Sequence, residues 1–328
     1  MRFSQFSKIN NKSTLRINVL GGLGNQLFLL FFGIAVSKYL KKDLVIEDKL
    51  IGFGSNPNRK LAISSFTFKN LSVIYRKNYY SKLQFLYSNI FFRRLMWRFI
   101  HARSKPMTET DIKKSDFRFN SNQTFSGYFQ DWFYVDLVYE MVQGFEMDLS
   151  EPTPFYNELS TAIEIAKPIC VHVRLGDYLH HPDKFSILPE RYFLNSIDYL
   201  SSGTECPVWC FVESELELTR HYPKLAKLCK KIIDKKEHVN DNETFALLMN
   251  SSKLIASNST YSLWAAWFAE KNGARVVVPF EMGIKGAGDG LNSSRWDQYD
   301  FNQNVIIPKT IEEETYNLKK REFERKFK

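Results

Sequence analysis

Three short stretches of this 328-residue chain carry side chains able to do chemistry on an anion or a sugar. The first is Pro168-Ile-Cys-Val-His172-Val-Arg174-Leu-Gly176-Asp177-Tyr178, where a His, an Arg and an Asp fall within six residues of an apolar run. Side chains alternate along a strand, so the spacing predicts His172 and Arg174 on one face and Val171 and Val173 on the other. Gly176 predicts a turn that presents Asp177 and Tyr178 at the strand's carboxyl end, where open α/β sheets bind ligands. An anionic ligand would answer the guanidinium; an Arg174–Asp177 pair that only closes the turn is the alternative.

The second stretch, Asn258-Ser259-Thr260-Tyr261-Ser262, follows a strand expected at 253–257 and opens a helix. Hydroxyl and amide side chains there cap the helix, and its free N–H groups and dipole also suit a phosphate. The third, Gly21-Gly-Leu-Gly24-Asn25-Gln26, lies between a strand expected at 15–20 and an apolar helix. It lacks the last glycine of a dinucleotide fingerprint, because Leu27 stands there. A nucleotide reading through Gly22, Gly24 and Asp48 stays open. So do a close backbone approach to a ligand with Asn25 and Gln26 as donors, and a plain turn with Asn25 as cap.

Strands and helices alternate around these stretches, which predicts an α/β chain of two domains. Glu151-Pro-Thr-Pro154 is the best linker signal, with a boundary near 150–165. Further strands are expected at 43–48, 208–212, 230–233 and 275–279, and helices at 79–104, 155–167, 188–200, 216–228 and 243–252. Gly283–Gly290 reads as a loop, and the tail from Thr310 as a charged helix without chemistry.

The formal charge is +9, and no acidic residue lies between Asp48 and Glu109, an interval holding twelve Lys and Arg. That suits a polyanion or an anionic membrane surface, and no nucleic-acid fold signature accompanies it. The basic, aromatic 79–104 segment fits a helix on a membrane or one with an apolar face in the core. No signal peptide is visible, and the apolar run Leu27–Val36 is about ten residues, too short to span a bilayer. The four cysteines lack paired CxxC spacing and read as free thiols in a reducing, cytoplasmic setting.

Taken in order, Gly21-Gly-Leu-Gly-Asn-Gln-Leu-Phe28, His172-Val-Arg-Leu-Gly-Asp-Tyr178 and Ile255-Ala-Ser-Asn-Ser-Thr-Tyr-Ser-Leu-Trp-Ala-Ala-Trp267 resemble the motifs of the α-1,2-fucosyltransferases, glycosyltransferase family 11. Gly127-Tyr-Phe-Gln130 matches a fourth, weaker segment. The chain departs from the family where Leu175 replaces a second Arg, where Leu263 and Ala265 flank Trp264, and where Phe211-Val-Glu213-Ser214 replaces an FSDD segment. The resemblance implies a GT-B architecture of two Rossmann-like domains facing across a cleft. Domain limits of 1–160 (acceptor side), 161–310 (GDP-sugar side) and a 311–328 tail follow from it and from the linker. It also implies GDP-β-L-fucose as donor, the 2-hydroxyl of a β-galactoside in a surface glycan as acceptor, inversion, and no metal or other cofactor.

On that resemblance, Arg174 binds the β-phosphate, and Asn258, Ser259 and Thr260 hold the same pyrophosphate. His172 contacts the nucleotide, Glu243 accepts from guanine, and Gly24, Asn25 and Gln26 reach the donor from the first domain. Asp177 is either the general base or a structural partner of Arg174. A lipid-linked acceptor at the inner membrane face would suit the basic first domain. An NAD-dependent oxidoreductase and a non-catalytic glycan- or lipid-binding protein are the readings from other classes.

Overall fold

Alternating strands and helices fold into two units, one holding residues 1–146 and 313–328 and the other 147–312. A computed structural model describes residues 14–48, 51, 60–68, 73–76, 107–114, 116–119, 123–141, 145–149, 151–203, 205–234, 240–280, 291, 295–310 and 313–328. The basic helix expected at 79–104 and the glycine loop 283–290 lie outside the described residues.

In the first unit, β1 (Thr14–Asn18) leads into α1 (Leu23–Leu40), which returns to β2 (Asp43–Glu47). β3 (Phe66–Phe68), β4 (Val73–Arg76), α2 (Glu109–Ile112), β5 (Thr124–Ser126), α3 (Trp132–Met141) and β6 (Phe145–Met147) follow. β3 and β6 make a small separate sheet, and the main one runs β4-β2-β1-β5, all parallel. Parallel neighbours need helical crossovers, and α1 supplies the first. It is longer than its ten-residue apolar centre suggests. Its 18 residues would suffice, by length and composition, to cross a membrane, but 78% of that window is buried. Phe28, Phe32 and Ile34 bury their side chains fully or nearly so, which identifies α1 as the central helix of this unit's core.

The second unit opens with α4 (Pro154–Ala166), where Thr153 accepts the Tyr156 N–H as cap and Pro154 takes the first helical position. The linker-like Glu151–Pro154 is therefore a helix start inside this unit, and the division falls before it rather than at 160. Next come β7 (Ile169–His172), α5 (Gly176–His180), α6 (Glu190–Ser201), β8 (Val208–Phe211), α7 (Glu215–His221) and α8 (Pro223–Leu228). β9 (Cys229–Ile233), α9 (Asp241–Met249), β10 (Lys253–Ile255), α10 (Thr260–Lys271), β11 (Arg275–Pro279), β12 (Asp297–Asp300) and β13 (Val305–Ile307) complete it. The helix expected at 216–228 is two, broken where Pro223 cannot continue the first.

The seven strands run β13-β12-β11-β10-β7-β8-β9, and every pair but β12–β13 is parallel. From β9 to β12 this is the doubly wound order of a dinucleotide-type half, reversing direction between β7 and β10. Ile169, Val171, Tyr192, Phe193, Val208, Leu218 and Ile255 pack its core. Trp264 and Trp267 are fully buried on α10 with ring centroids 5.7 Å apart. The charged tail is not a separate element. α11 (Glu313–Arg325) belongs to the first unit, and its buried Phe323 meets Tyr39, Phe119, Phe133, Tyr134 and Phe327.

Candidate functional site

Two of the three sequence stretches meet where the strand order of the second unit reverses. β7 and β10 are neighbours with Val171 opposite Ile255, so the residues that follow each strand emerge side by side at the carboxyl edge. In a doubly wound sheet this switch point is the ligand crevice.

His172 ends β7 and is 8% exposed. Its Nδ1 lies 3.1 Å from Ser257 Oγ, and Ser257 Oγ lies 3.2 Å from Ser259 Oγ. Ser259 in turn caps α10 by accepting the Ser262 N–H at 3.2 Å, and Ser262 Oγ accepts the Ser257 N–H at 2.8 Å. A chain of hydroxyls thus ties the imidazole to the helix N-terminus. Burial, helped by the Arg174 charge, pushes the His172 pKa down to about 3, so the ring is neutral at ordinary pH. The Tyr261 ring packs beside it, 5.4 Å away.

Arg174 does not share the face of a strand with His172. β7 ends at His172, and the guanidinium comes from the segment between it and α5. It donates to Asp177 at 2.5 Å and to Glu213, which follows β8. Burial opposes its charge, but the Glu213 and Asp177 carboxylates more than offset this and hold its pKa above the ordinary arginine value. Gly176 makes this possible: a Cβ there would collide with the Glu213 carboxylate. Glu213 Oε2 is enclosed and accepts no hydrogen bond, a costly state for a carboxylate and a frequent mark of a working site. Leu175 points the other way. It is 3% exposed in the core cluster of the sheet, so no side chain of its position faces the guanidinium's partners.

Several expected donor contacts prove to be structural ties. Asn258 is 1% exposed, its Nδ2 donates to the Ser186 carbonyl at 2.7 Å, and its own carbonyl accepts the Tyr178 hydroxyl at 3.1 Å. Glu243 is not placed to read guanine. It is the third residue of α9, 1% exposed, with one oxygen accepting the Asn240 N–H in a capping box and the other the Thr153 N–H at 2.6 Å. Thr260 is the first residue of α10 and partly exposed.

The glycine stretch belongs to the first unit. α1 begins at Leu23, so Gly24 is a buried helical residue and not part of a loop. Gln26 is fully buried, and its amide pins the segment before β3. Nε2 donates to the Gly21 and Lys60 carbonyls, while Oε1 accepts the Ala62 and Ile63 N–H groups. A donor-binding role for Gln26 is thereby replaced by a scaffolding one. Asn25 stays at the surface of the unit and accepts from Gln130 Nε2 at 2.9 Å. Glu47, the last residue of β2 and the neighbour of Asp48, is 1% exposed and 3.0 Å from Arg16.

Glu213 and Ser257 are the residues that sequence reasoning missed. Glu213 had a signal, because it ends the segment that stands in place of FSDD. Ser257 had none beyond its position before Asn258.

The family described as glycosyl transferase family 11 matches residues 15–282. An Escherichia coli alpha-1,2-colitosyltransferase is 28% identical over 131 residues, which is 37% of this chain and 43% of that protein. This chain therefore spans less than half the length of that curated relative. Among solved structures, the fucosyltransferase NodZ from Bradyrhizobium is 11% identical, covering 77% of this chain and 92% of that one at a TM-score of 0.44. NodZ alpha-1,6-fucosyltransferase soaked with GDP-fucose is 12% identical, covering 91% and 100% at a TM-score of 0.48.

Proposed function

Because the chain belongs to glycosyl transferase family 11, we propose that it moves L-fucose from GDP-β-L-fucose to the 2-hydroxyl of a β-galactoside in a surface glycan. The reaction inverts the anomeric carbon and needs no metal. The observation that carries this reading is the convergence of Arg174, His172 and the Ser257–Ser262 helix start at the β7/β10 switch point. A guanidinium, a neutral imidazole and a capped helix N-terminus together offer charge, hydrogen bonds and dipole to a pyrophosphate.

In the transfer, the acceptor oxygen bonds to the anomeric carbon as its bond to the β-phosphate oxygen breaks, and GDP leaves with the electron pair. Arg174 stabilises the charge on that leaving phosphate, a contribution of about 2.7–4 kcal/mol for a well-placed donor. For this it must turn a donor from a carboxylate to the phosphate. Asp177, the more exposed of the two at 43% against 21% for Glu213, is the partner it releases. A released Asp177 is the general base that takes the acceptor proton. His172, being neutral, serves the nucleotide by hydrogen bonding and adds no charge.

A donor screen in EDTA with simple β-galactosides tests the reading. Wild type should transfer fucose, and Arg174→Ala should lose about a hundredfold or more in kcat. An Arg174→Ala enzyme with near-normal transfer would refute the phosphate role, and an Asp177→Asn enzyme with an unchanged rate and pH profile would refute the base. The E. coli relative's name, alpha-1,2-colitosyltransferase, favours one second reading, the same linkage with another sugar as cargo. GDP binding without fucose transfer would select it. The acceptor is lipid-linked at the cytoplasmic membrane face, where the basic 49–108 interval meets anionic lipid; failure to cosediment with anionic vesicles at low salt would exclude that.

A further inference from the structure

Which nitrogen of the His172 imidazole carries its proton decides what the ring can offer a ligand, and the partner of the other nitrogen sets that choice. Here the partner is Ser257, whose hydroxyl is held in place by a closed set of bonds. The chain leaves β10 with the Ala256 N–H donating to the Val277 carbonyl at 2.9 Å. The Ser257 N–H then donates to Ser262 Oγ at 2.8 Å, the Ser262 N–H donates to Ser259 Oγ at 3.2 Å, and Ser259 Oγ lies 3.2 Å from Ser257 Oγ. All three serines are buried, so the Ser257 hydroxyl stays 3.1 Å from His172 Nδ1.

Two arrangements of hydrogens satisfy the chain from Ser259 through Ser257 to Nδ1. In one, the Ser259 O–H donates to Ser257 Oγ, the Ser257 O–H donates to Nδ1, and the ring proton sits on Nε2. In the other the direction reverses: Nδ1–H donates to Ser257, Ser257 donates to Ser259, and Nε2 is bare. Among the described residues, neither His172 nor Ser259 has a further hydrogen bond that would take up what is left over. The first arrangement therefore leaves one polar function unanswered, the Nε2–H. The second leaves two, the Ser259 O–H and the Nε2 lone pair. Each unanswered group costs free energy when buried, which favours the first. A carboxylate beside Nδ1 could only accept and would hold the proton there, whereas a hydroxyl can donate and send the proton to the far nitrogen.

The neighbours of the ring leave that N–H for a ligand. The Arg174 guanidinium is engaged by Asp177 and Glu213, and the Tyr261 hydroxyl donates to the Asp241 carbonyl at 2.6 Å. His172 is 8% exposed, so its Nε2 is a buried polar atom without a partner at the carboxyl edge of β7. An anion there meets an N–H in the first arrangement and a lone pair in the second, and only the first attracts it.

We infer that Ser257 is a positioning residue: with Ser259 behind it, its hydroxyl donates to Nδ1 and fixes His172 as the Nε2–H tautomer, a neutral donor aimed at the diphosphate of a sugar nucleotide. The diphosphate rests on the transferase reading; the direction of the relay does not. The test uses the full chain with 15N-labelled histidine, whose two-dimensional spectra report the tautomer of each of the six rings without any nucleotide. His172 is assigned by the signal that His172→Asn removes. Wild type should show a protonated Nε2 and an unprotonated Nδ1. Ser257→Ala keeps the backbone bond to Ser262 but loses the donor, and should move the ring toward the Nδ1–H form and weaken GDP in calorimetry by about tenfold, the scale of one lost hydrogen bond. Ser251→Ala is the control for a merely structural loss, since it deletes another buried hydroxyl of this unit, the one that donates to the Leu248 carbonyl at 2.7 Å. It should leave the tautomer and GDP affinity unchanged. A wild-type ring protonated on Nδ1 overturns the proposal, as does a Ser257→Ala variant with the wild-type tautomer or with unaltered GDP affinity. The expected tautomer and its loss in Ser257→Ala, in a wild type that binds no GDP, would uphold the relay and overturn the transferase reading.

Discussion

Replacing His172 by Asn tests whether the switch point is built around a neutral imidazole. Asn offers a nitrogen near the position of Nδ1 for Ser257 and cannot titrate. In the folded chain the ring takes a proton only near pH 3, because burial and the Arg174 charge oppose it. In the unfolded chain it does so near the ordinary value, about 6.5. As pH falls, the unfolded state binds the proton first, so His172 contributes full stability above about pH 6.5 and loses it progressively toward pH 3. The gap of about 3.5 units is worth about 5 kcal/mol in full, at about 1.36 kcal/mol per unit, and about 2 kcal/mol of it is lost by pH 5. The other groups around the ring, Arg174, Asp177, Glu213 and Tyr261, are common to both proteins. Urea denaturation at pH 7.5 and pH 5 can follow the second unit through its buried Trp209, Trp264, Trp267 and Trp296. Wild type should lose about 2 kcal/mol more than His172→Asn between the two pH values. Parallel losses in the two proteins would show that the imidazole is not held neutral, and the account of the site's charge would fail.

Three further outcomes follow from the same geometry. Gly176→Ala places a methyl group against the Glu213 carboxylate and should cost about tenfold in kcat/KM, as should Glu213→Ala, with little change in melting temperature; full activity of either variant would show that Arg174 does not need this partner. Gln26→Ala removes the side-chain partner of two carbonyls and two N–H groups and opens a cavity at a fully buried position, and should destabilise the first unit by about 2 kcal/mol in chemical denaturation; a raised donor KM with unaltered stability would restore it to the donor site. Glu243→Ala removes a capping box and the Thr153 contact and should cost about 1–2 kcal/mol; a selective loss of GDP affinity in calorimetry would return it to guanine recognition.

Much of the second unit was legible because its signals are local. Apolar runs closed by turn residues mark β7, β8 and β11, and Asn258–Ser262 marks a helix start by capping chemistry alone. What could not be read is which polar side chains spend themselves on the scaffold. Gln26 and Asn25 are adjacent amides in one motif, yet one is fully buried among four backbone partners and the other stays at the surface. Glu243 likewise resembles a binding acid until Thr153, ninety positions away, supplies its second donor. Nonlocal hydrogen bonds decide such cases, and sequence spacing carries no trace of them. β12 and β13 were missed for a related reason. Asp297-Gln-Tyr-Asp300 has little strand character of its own and is a strand because β11 offers it an edge.

Leu175 links the sequence departure to the charge balance of the site. A second cation at that position would have faced the core, where Leu175 packs, unless the backbone after β7 took another course. With leucine there, one guanidinium answers two carboxylates, a trio of net negative charge. A pyrophosphate arriving at such a site meets repulsion that a single arginine cannot overcome by attraction alone. Two things relieve it. In the proposed reaction one carboxylate moves off the guanidinium, and the N-terminus of α10, where Ser259 accepts the Ser262 N–H, adds positive potential through its dipole. Raising the salt concentration should therefore weaken GDP binding less than it would at a site of clustered cations, because backbone dipoles carry the larger share.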